Sequence, residues 1–163
     1  MKVRRQVIAA GFAAMVVALA GCGSDNEATR VGGAVRSPTA DYNVGDIVRL
    51  SNLEIVVHGV KDPFDAGITK PAAGSRYVAV DAEVRNRASG PQLVSAYAQF
   101  ELKDSEDETY IPVSLQGNRI GGQVPPGESV RGDVSFEVPE GRGGFELVFK
   151  NLEYGSSATI GLG

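Results

Sequence analysis

The sequence predicts an all-β fold for residues 44–163, an antiparallel β-sandwich of about seven to nine short strands. Three observations lead there. From Val44 onward, apolar residues recur at every second position in short runs. Gly, Pro, Asn, Asp and Ser separate the runs, and no stretch of the region carries a sustained helical period. Period two belongs to a strand with one face in the core and the other in water.

Taken in order, the runs Ile47–Leu50 and Leu53–Lys61 come first, parted by Ser51-Asn52, with Leu53, Ile55 and Val57 on one face. Asp62 to Ser75 carries two Pro, two Gly and no pattern, and is expected to be a surface loop at one end of the sandwich. In Tyr77–Asn86, Val78, Val80, Ala82 and Val84 point inward, against Asp81, Glu83 and Arg85 outward. Tyr97–Lys103 is expected to pair as a hairpin with Thr109–Ser114 across Asp104–Glu108. Pro112 lies inside the second of these runs; lacking an N–H, it marks an edge or bulged strand. Val124-Pro125-Pro126-Gly127 is a strong turn signal. Beyond it, Val130, Val134, Phe136 and Val138 alternate with charged or small residues. Phe145, Leu147 and Phe149 form another buried stripe, and Ala158–Leu162 closes the set.

The series Tyr77-Val-Ala-Val-Asp-Ala-Glu-Val-Arg-Asn86, Ala98-Gln-Phe-Glu-Leu-Lys-Asp104, Tyr110, Pro125-Pro126-Gly127-Glu128 and Gly132-Asp-Val-Ser-Phe-Glu-Val-Pro139 resembles a widespread family of bacterial exported domains of unknown function. The resemblance covers roughly residues 44–152. It implies an immunoglobulin-like sandwich similar to that of a small secreted mycobacterial antigen, and it implies no common activity. One departure is visible: the Asp104–Glu108 turn lacks the glycine that such turns often carry.

The N-terminus carries a different signal. Lys2, Arg4 and Arg5 precede a fourteen-residue apolar run, Val7 to Ala20, broken only by Gly11. A basic start, a short apolar stretch and small residues are the order of a secretory signal; a bilayer-spanning helix needs about 20 apolar residues. Leu19-Ala20-Gly21-Cys22 resembles the lipobox of bacterial lipoproteins. The resemblance implies cleavage before Cys22 and a diacylglyceryl group on its sulfur, with Leu19, Ala20 and Gly21 recognised at the cut. Two acyl chains hold a protein at a membrane where one holds weakly. Residues 1–21 are therefore expected to be a signal peptide and 22–43 a lipidated linker. This linker is rich in Gly, Ser, Asp, Asn, Thr and Pro. As a coil, Gly23–Asn43 would span roughly 25 Å without fixing the domain's orientation.

Three of the 16 basic residues fall in the leader, leaving 13 against 20 acidic ones, a net charge near −7. That sign opposes contact with nucleic-acid phosphates and with anionic lipid headgroups, so no nucleic-acid partner is expected. Cys22 is the single cysteine, so no disulfide forms within the chain.

Chemistry-bearing residues are few. His58 is the single histidine, without a second histidine or a thiol near it in sequence to build a nucleophile–base set or a metal site. It reads as a strand histidine at the sheet surface, and neither catalytic residues nor a cofactor or metal site is expected. The cluster Asp104, Glu106, Asp107 and Glu108 is a candidate calcium attractor, but it lacks the central Gly and terminal acid of the EF-hand loop. Solvated charge at a hairpin tip is the simpler account. Arg131-Gly132-Asp133 falls within an alternating strand and cannot project as a recognition triplet. Gly121-Gly122 and Gly141-Arg142-Gly143-Gly144 open no helix and so build no phosphate cradle. The loops Asp62–Ser75 and Leu115–Gln123 are the expected binding surfaces. The sequence thus suggests a non-enzymatic lipoprotein held on the outer face of the cell membrane. Its domain is expected to engage a protein or another envelope component. The alternative is a small-ligand or calcium-binding lipoprotein using loops at one end of the sandwich.

Overall fold

The structure, a computed structural model, describes the backbone of residues 29–31 and all atoms of residues 40–117 and 119–163. In chain order the strands are β1 (Thr29–Val31), β2 (Tyr42–Asn43), β3 (Ile47–Leu50), β4 (Leu53–Lys61), β5 (Ser75–Asn86) and β6 (Gln92–Ser95). A single helical turn, α1 (Ala96–Gln99), leads into β7 (Phe100–Lys103), β8 (Thr109–Tyr110), β9 (Pro112–Val113) and β10 (Gly121–Val124). The chain ends with β11 (Ser129–Pro139), β12 (Glu146–Asn151) and β13 (Ser156–Gly161).

Two sheets face each other, one in the order β1-β3-β4-β5-β11-β9 and the other β2-β13-β12-β7-β8, with β6 and β10 forming a separate ribbon. All pairings among these strands are antiparallel except β13 with β2. This is the all-β sandwich that the alternating runs predict. Val78, Val80, Ala82 and Val84 of β5 are wholly buried. They meet Leu102, Leu147, Phe149 and Ile160 of the other sheet in one core. Phe100 and Phe149 pack with ring centroids 5.0 Å apart, tilted by 47°, a favourable aromatic geometry.

Buried asparagines tie the turns at one end of the sandwich. Asn86 Nδ2 donates to the carbonyls of Gly90 and Val124 at 2.8 and 2.9 Å. Asn151 Nδ2 donates to the Leu50 carbonyl at 2.9 Å and to Asn52 Oδ1 at 2.8 Å. These bonds satisfy backbone carbonyls that would otherwise be stranded from water.

Four local features differ from the sequence expectation. The Thr109–Ser114 run does not form one hairpin arm: Thr109–Tyr110 pairs with β7, and Pro112–Val113 crosses to the other sheet beside β11. Pro112 thereby ends on an edge, where its missing N–H costs no ladder bond. The Tyr97–Lys103 strand begins only at Phe100, because Ala96–Gln99 makes a helical turn. The Leu115–Gln123 loop runs along the side of β11, bridging at Arg119 and Asp133, and ends in β10, instead of capping one end of the sandwich. Finally, the expected linker 22–43 contributes two strands: β1 pairs with β3, and Tyr42–Asn43 with β13, so the sheets begin before residue 44. Isolated two- and three-residue strands leave no periodicity to read.

Candidate functional site

Leu19, Ala20, Gly21 and Cys22 lie outside the described residues. The other candidate residues fall on three surfaces.

On the outer face of the larger sheet, cross-strand registers bring opposite charges together. Arg131 donates to Asp81 at 2.9 and 2.7 Å, and Lys61 to Asp133 at 2.9 and 3.0 Å. The Arg131-Gly132-Asp133 triplet is thus locked in β11, its two charges held by β5 and β4. Glu54 receives Arg49 and Arg87. Burial opposes ionisation of Glu54, but the two guanidiniums outweigh it and hold the carboxyl below its ordinary range.

His58 is the extra residue of a bulge, since Val57 pairs with Ala82 and Gly59 with Asp81. A bulge re-aims its side chain, and the His58 ring lies on the exposed face with Nε2 3.1 Å from Glu83 Oε2. Glu83 is held below its ordinary range by the Ser129 side chain first, and by His58 after the opposing effect of burial. The carboxylate stands between serine and histidine, whereas nucleophilic activation needs the histidine between serine and acid. The trio therefore does not prime Ser129. Gly59 was the sequence signal for the bulge.

At the end of the sandwich where β5 begins, the acidic hairpin is organised around Asp104, whose carboxylate is fully buried. Its Oδ1 accepts the backbone N–H groups of Glu106 and Glu108 at 2.9 and 3.0 Å, and Oδ2 accepts the Tyr110 hydroxyl at 2.8 Å. Burial opposes the charge, and these donors together with Arg142 outweigh it, lowering the Asp104 pKa. Asp107 takes the left-handed conformation, φ 62°, that the missing glycine would otherwise supply; aspartate tolerates it better than most residues. Arg142 pairs with Glu106. Arg76 joins the adjoining loops by donating to Asp62 and to the Pro139 and Arg142 carbonyls. Asp104 is thus taken by an inward knot and Glu106 by an arginine, while Asp107 and Glu108 remain exposed. Among the described residues no cluster of three or more His, Cys, Asp or Glu side chains is arranged to hold a metal ion.

The Asp62–Ser75 loop lies at this same end. Tyr77 donates its hydroxyl to the Lys70 carbonyl at 3.1 Å, Glu137 Oε1 receives the Ala72 N–H at 2.7 Å, and Ile68 stands 86% exposed.

The third surface is a cleft of about 430 Å³ between the start of α1 and the outer edge of β11. Val94, Tyr97, Val113 and Ile120 give it apolar walls, and Arg119 and Ser135 give it polar ones. Arg119 Nη1 donates to Ser114 Oγ at 2.6 Å. The Leu115–Gln123 segment therefore does line a concavity, though along a side.

Fold and surfaces together define a small immunoglobulin-like sandwich with an ion-paired outer face, a knotted loop end and a side cleft. The chain belongs to the DUF4352 family, a domain of unknown function, which matches residues 42–159. No curated protein matches it. Among solved structures it resembles the yjhA protein of Bacillus subtilis, with 16% identity over 75% of this chain and 99% of that chain, at a TM-score of 0.59. It also resembles the ycdA protein of Bacillus subtilis, named a candidate lipoprotein, with 18% identity and a TM-score of 0.58 over 77% of this chain and 38% of that one. MPT63, a secreted protein of Mycobacterium tuberculosis, is similar at 19% identity, a TM-score of 0.52, 71% of this chain and 82% of that chain. At these identities the shared property is the fold.

Proposed function

We propose that this protein is an exported lipoprotein, anchored through Cys22 on the outer face of the cell membrane, whose sandwich domain engages a protein or another envelope component without catalysis. The observation that carries the reading is the order of the N-terminal residues: basic start, short apolar run, Leu19-Ala20-Gly21, then the chain's single cysteine. The similarity to a candidate lipoprotein and to a secreted protein agrees with that location. The non-catalytic part is supported by the Ser129, Glu83 and His58 arrangement, whose carboxylate sits in the middle.

The test is cross-linking of the intact lipoprotein in its own cells, from a photoreactive residue replacing Ile68. The reading predicts one discrete adduct with a protein or envelope polymer. A variant with no adduct, alongside a saturable calorimetric signal for a small molecule that is lost in Arg119→Ala, would support the second reading. In that reading the side cleft takes a small ligand; its 430 Å³ fits the size range of such sites. The calcium form of that reading draws no support from the hairpin, where Asp104 is turned inward and filled by donors.

A further inference from the structure

We infer that the end of the sandwich formed by the turns at residues 51–52, 87–91, 125–128 and 152–155 docks on the lipid surface to which Cys22 is anchored, its exposed Leu93, Leu152 and Tyr154 entering the headgroup region. The inference rests on the lipid anchor of the proposed function and adds an orientation to it.

These turns gather at one end: Arg87 N–H donates to the Asn52 carbonyl, Gly127 N–H to the Asn86 carbonyl, and Asn52 Nδ2 to Glu153. Six large apolar side chains are exposed on the described surface, Ile68, Leu93, Tyr97, Ile111, Leu152 and Tyr154. Three of them, Leu93, Leu152 and Tyr154, belong to this end or to the segments that run into it, whereas Tyr97 faces the side cleft. Leu93 and Leu152, 66% and 60% exposed, flank one shallow apolar groove of about 250 Å³ floored by Leu53 and Ala98. Apolar side chains grouped at one end of a small domain mark a contact surface. Tyrosine beside leucine suits an interface that is wet on one side and apolar on the other. Arg49 and Arg87 at this end are paired with Glu54 and Arg85 bonds the Gly127 carbonyl, so the contact rests on the apolar side chains and not on charge.

What commits this surface to a bilayer is the length of the leash. β1 runs antiparallel to β3, with Thr29 beside Arg49, which lies level with Glu54 and Arg85 near the far end of β5. The seven residues from Cys22 to Thr29 reach at most about 25 Å. Ser75, at the other end of β5, is ten residues from Arg85, about 34 Å at 3.4 Å per residue. With β1 paired the sandwich therefore cannot stand on the end bearing Asp62–Ser75, and the Leu152 end is the one kept nearer the membrane.

The chain contains no tryptophan, so a single introduced indole reports its own surroundings. Leu152→Trp and, separately, Leu93→Trp are made in the full lipoprotein, with Ile68→Trp as the opposite-end probe. Each purified lipidated protein is reconstituted in vesicles whose acyl chains carry bromine near the headgroups, and vesicle association is checked by flotation. The inference predicts blue-shifted, strongly quenched emission at positions 152 and 93 and unquenched emission at 68. Protein that floats but is unquenched at both 152 and 93, or equally quenched at 68, overturns the docking and leaves the anchor standing. Lipoprotein that does not float overturns the anchor and the docking together.

Discussion

Tyr110 donates its hydroxyl to Oδ2 of Asp104 across 2.8 Å, closing the β7–β8 hairpin over a carboxylate with no exposed surface. The two residues sit six positions apart, and with the Glu106 and Glu108 N–H groups they convert an acidic tip into an ordered turn. Arg142 then ties the turn to the loop between β11 and β12.

Tyr110 is expected to ionise late. Burial and the bond to Asp104 push its pKa from 10.0 up to about 12. Because the folded value lies above the unfolded one, this contribution to stability is complete below pH 10 and is lost between about 10 and 12. Spectroscopic titration should show one of the five tyrosines ionising late, and Asp104→Asn should bring it down. Five tyrosines titrating together in the native protein would contradict the closed hairpin.

Acid acts in the opposite direction. Glu54, Asp81 and Glu83 are held below the ordinary values of 4.5 for glutamate and 3.8 for aspartate. Their contributions are present above those values and disappear as pH falls through the lowered ones. The melting temperature should be level between about pH 7 and 5 and fall below about pH 4. Glu54→Gln should lessen the fall. A melting temperature that rises on acidification would be the opposite of the expected behaviour.

The core should answer to its aromatic pair. Phe149→Ala removes a fully buried ring that meets Phe100. Truncations of this kind cost about 3–5 kcal/mol, and denaturant unfolding of native and variant protein measures the difference. A loss under about 1 kcal/mol would mean the two sheets do not pack through these rings.

Asn86 tests the turn end separately. Replacing it by Leu leaves the Gly90 and Val124 carbonyls without their side-chain donor, at about 1–3 kcal/mol for each buried group stranded. The same unfolding measurement applies, and a variant as stable as the native protein would show that water replaces those bonds.

On the proposed anchoring, Cys22→Ala removes the acceptor for the lipid. Fractionation of cells should show precursor accumulating or protein escaping to the medium. Unchanged retention in the membrane would show that something else holds the protein there.

The long strands were legible in the sequence because each has one buried and one wet face: Val78, Val80, Ala82 and Val84 alternate with charge, as do Val134, Phe136 and Val138. Pro112 announced its edge position through its missing donor. The bridging elements were not legible. The Gln92–Ser95 ribbon, the split after Tyr110 and the strands Thr29–Val31 and Tyr42–Asn43 depend on partners far away in sequence, and a two- or three-residue strand carries no period. His58 was read as a surface residue, correctly, but its bulge and the Glu83–Ser129 chain beyond it arise only from register. The acidic hairpin was read as solvated charge; Glu106, Asp107 and Glu108 are exposed, whereas Asp104 is the inward knot. One carboxylate among four becomes structural because Tyr110 and two backbone amides converge on it.

The account stands on the chemistry of Cys22, and intact-mass spectrometry of the protein extracted from the membranes of its own cells measures that directly. It predicts a chain that starts at Cys22 and carries a diacylglyceryl group on the sulfur. A chain that keeps residues 1–21 and bears no lipid would contradict it.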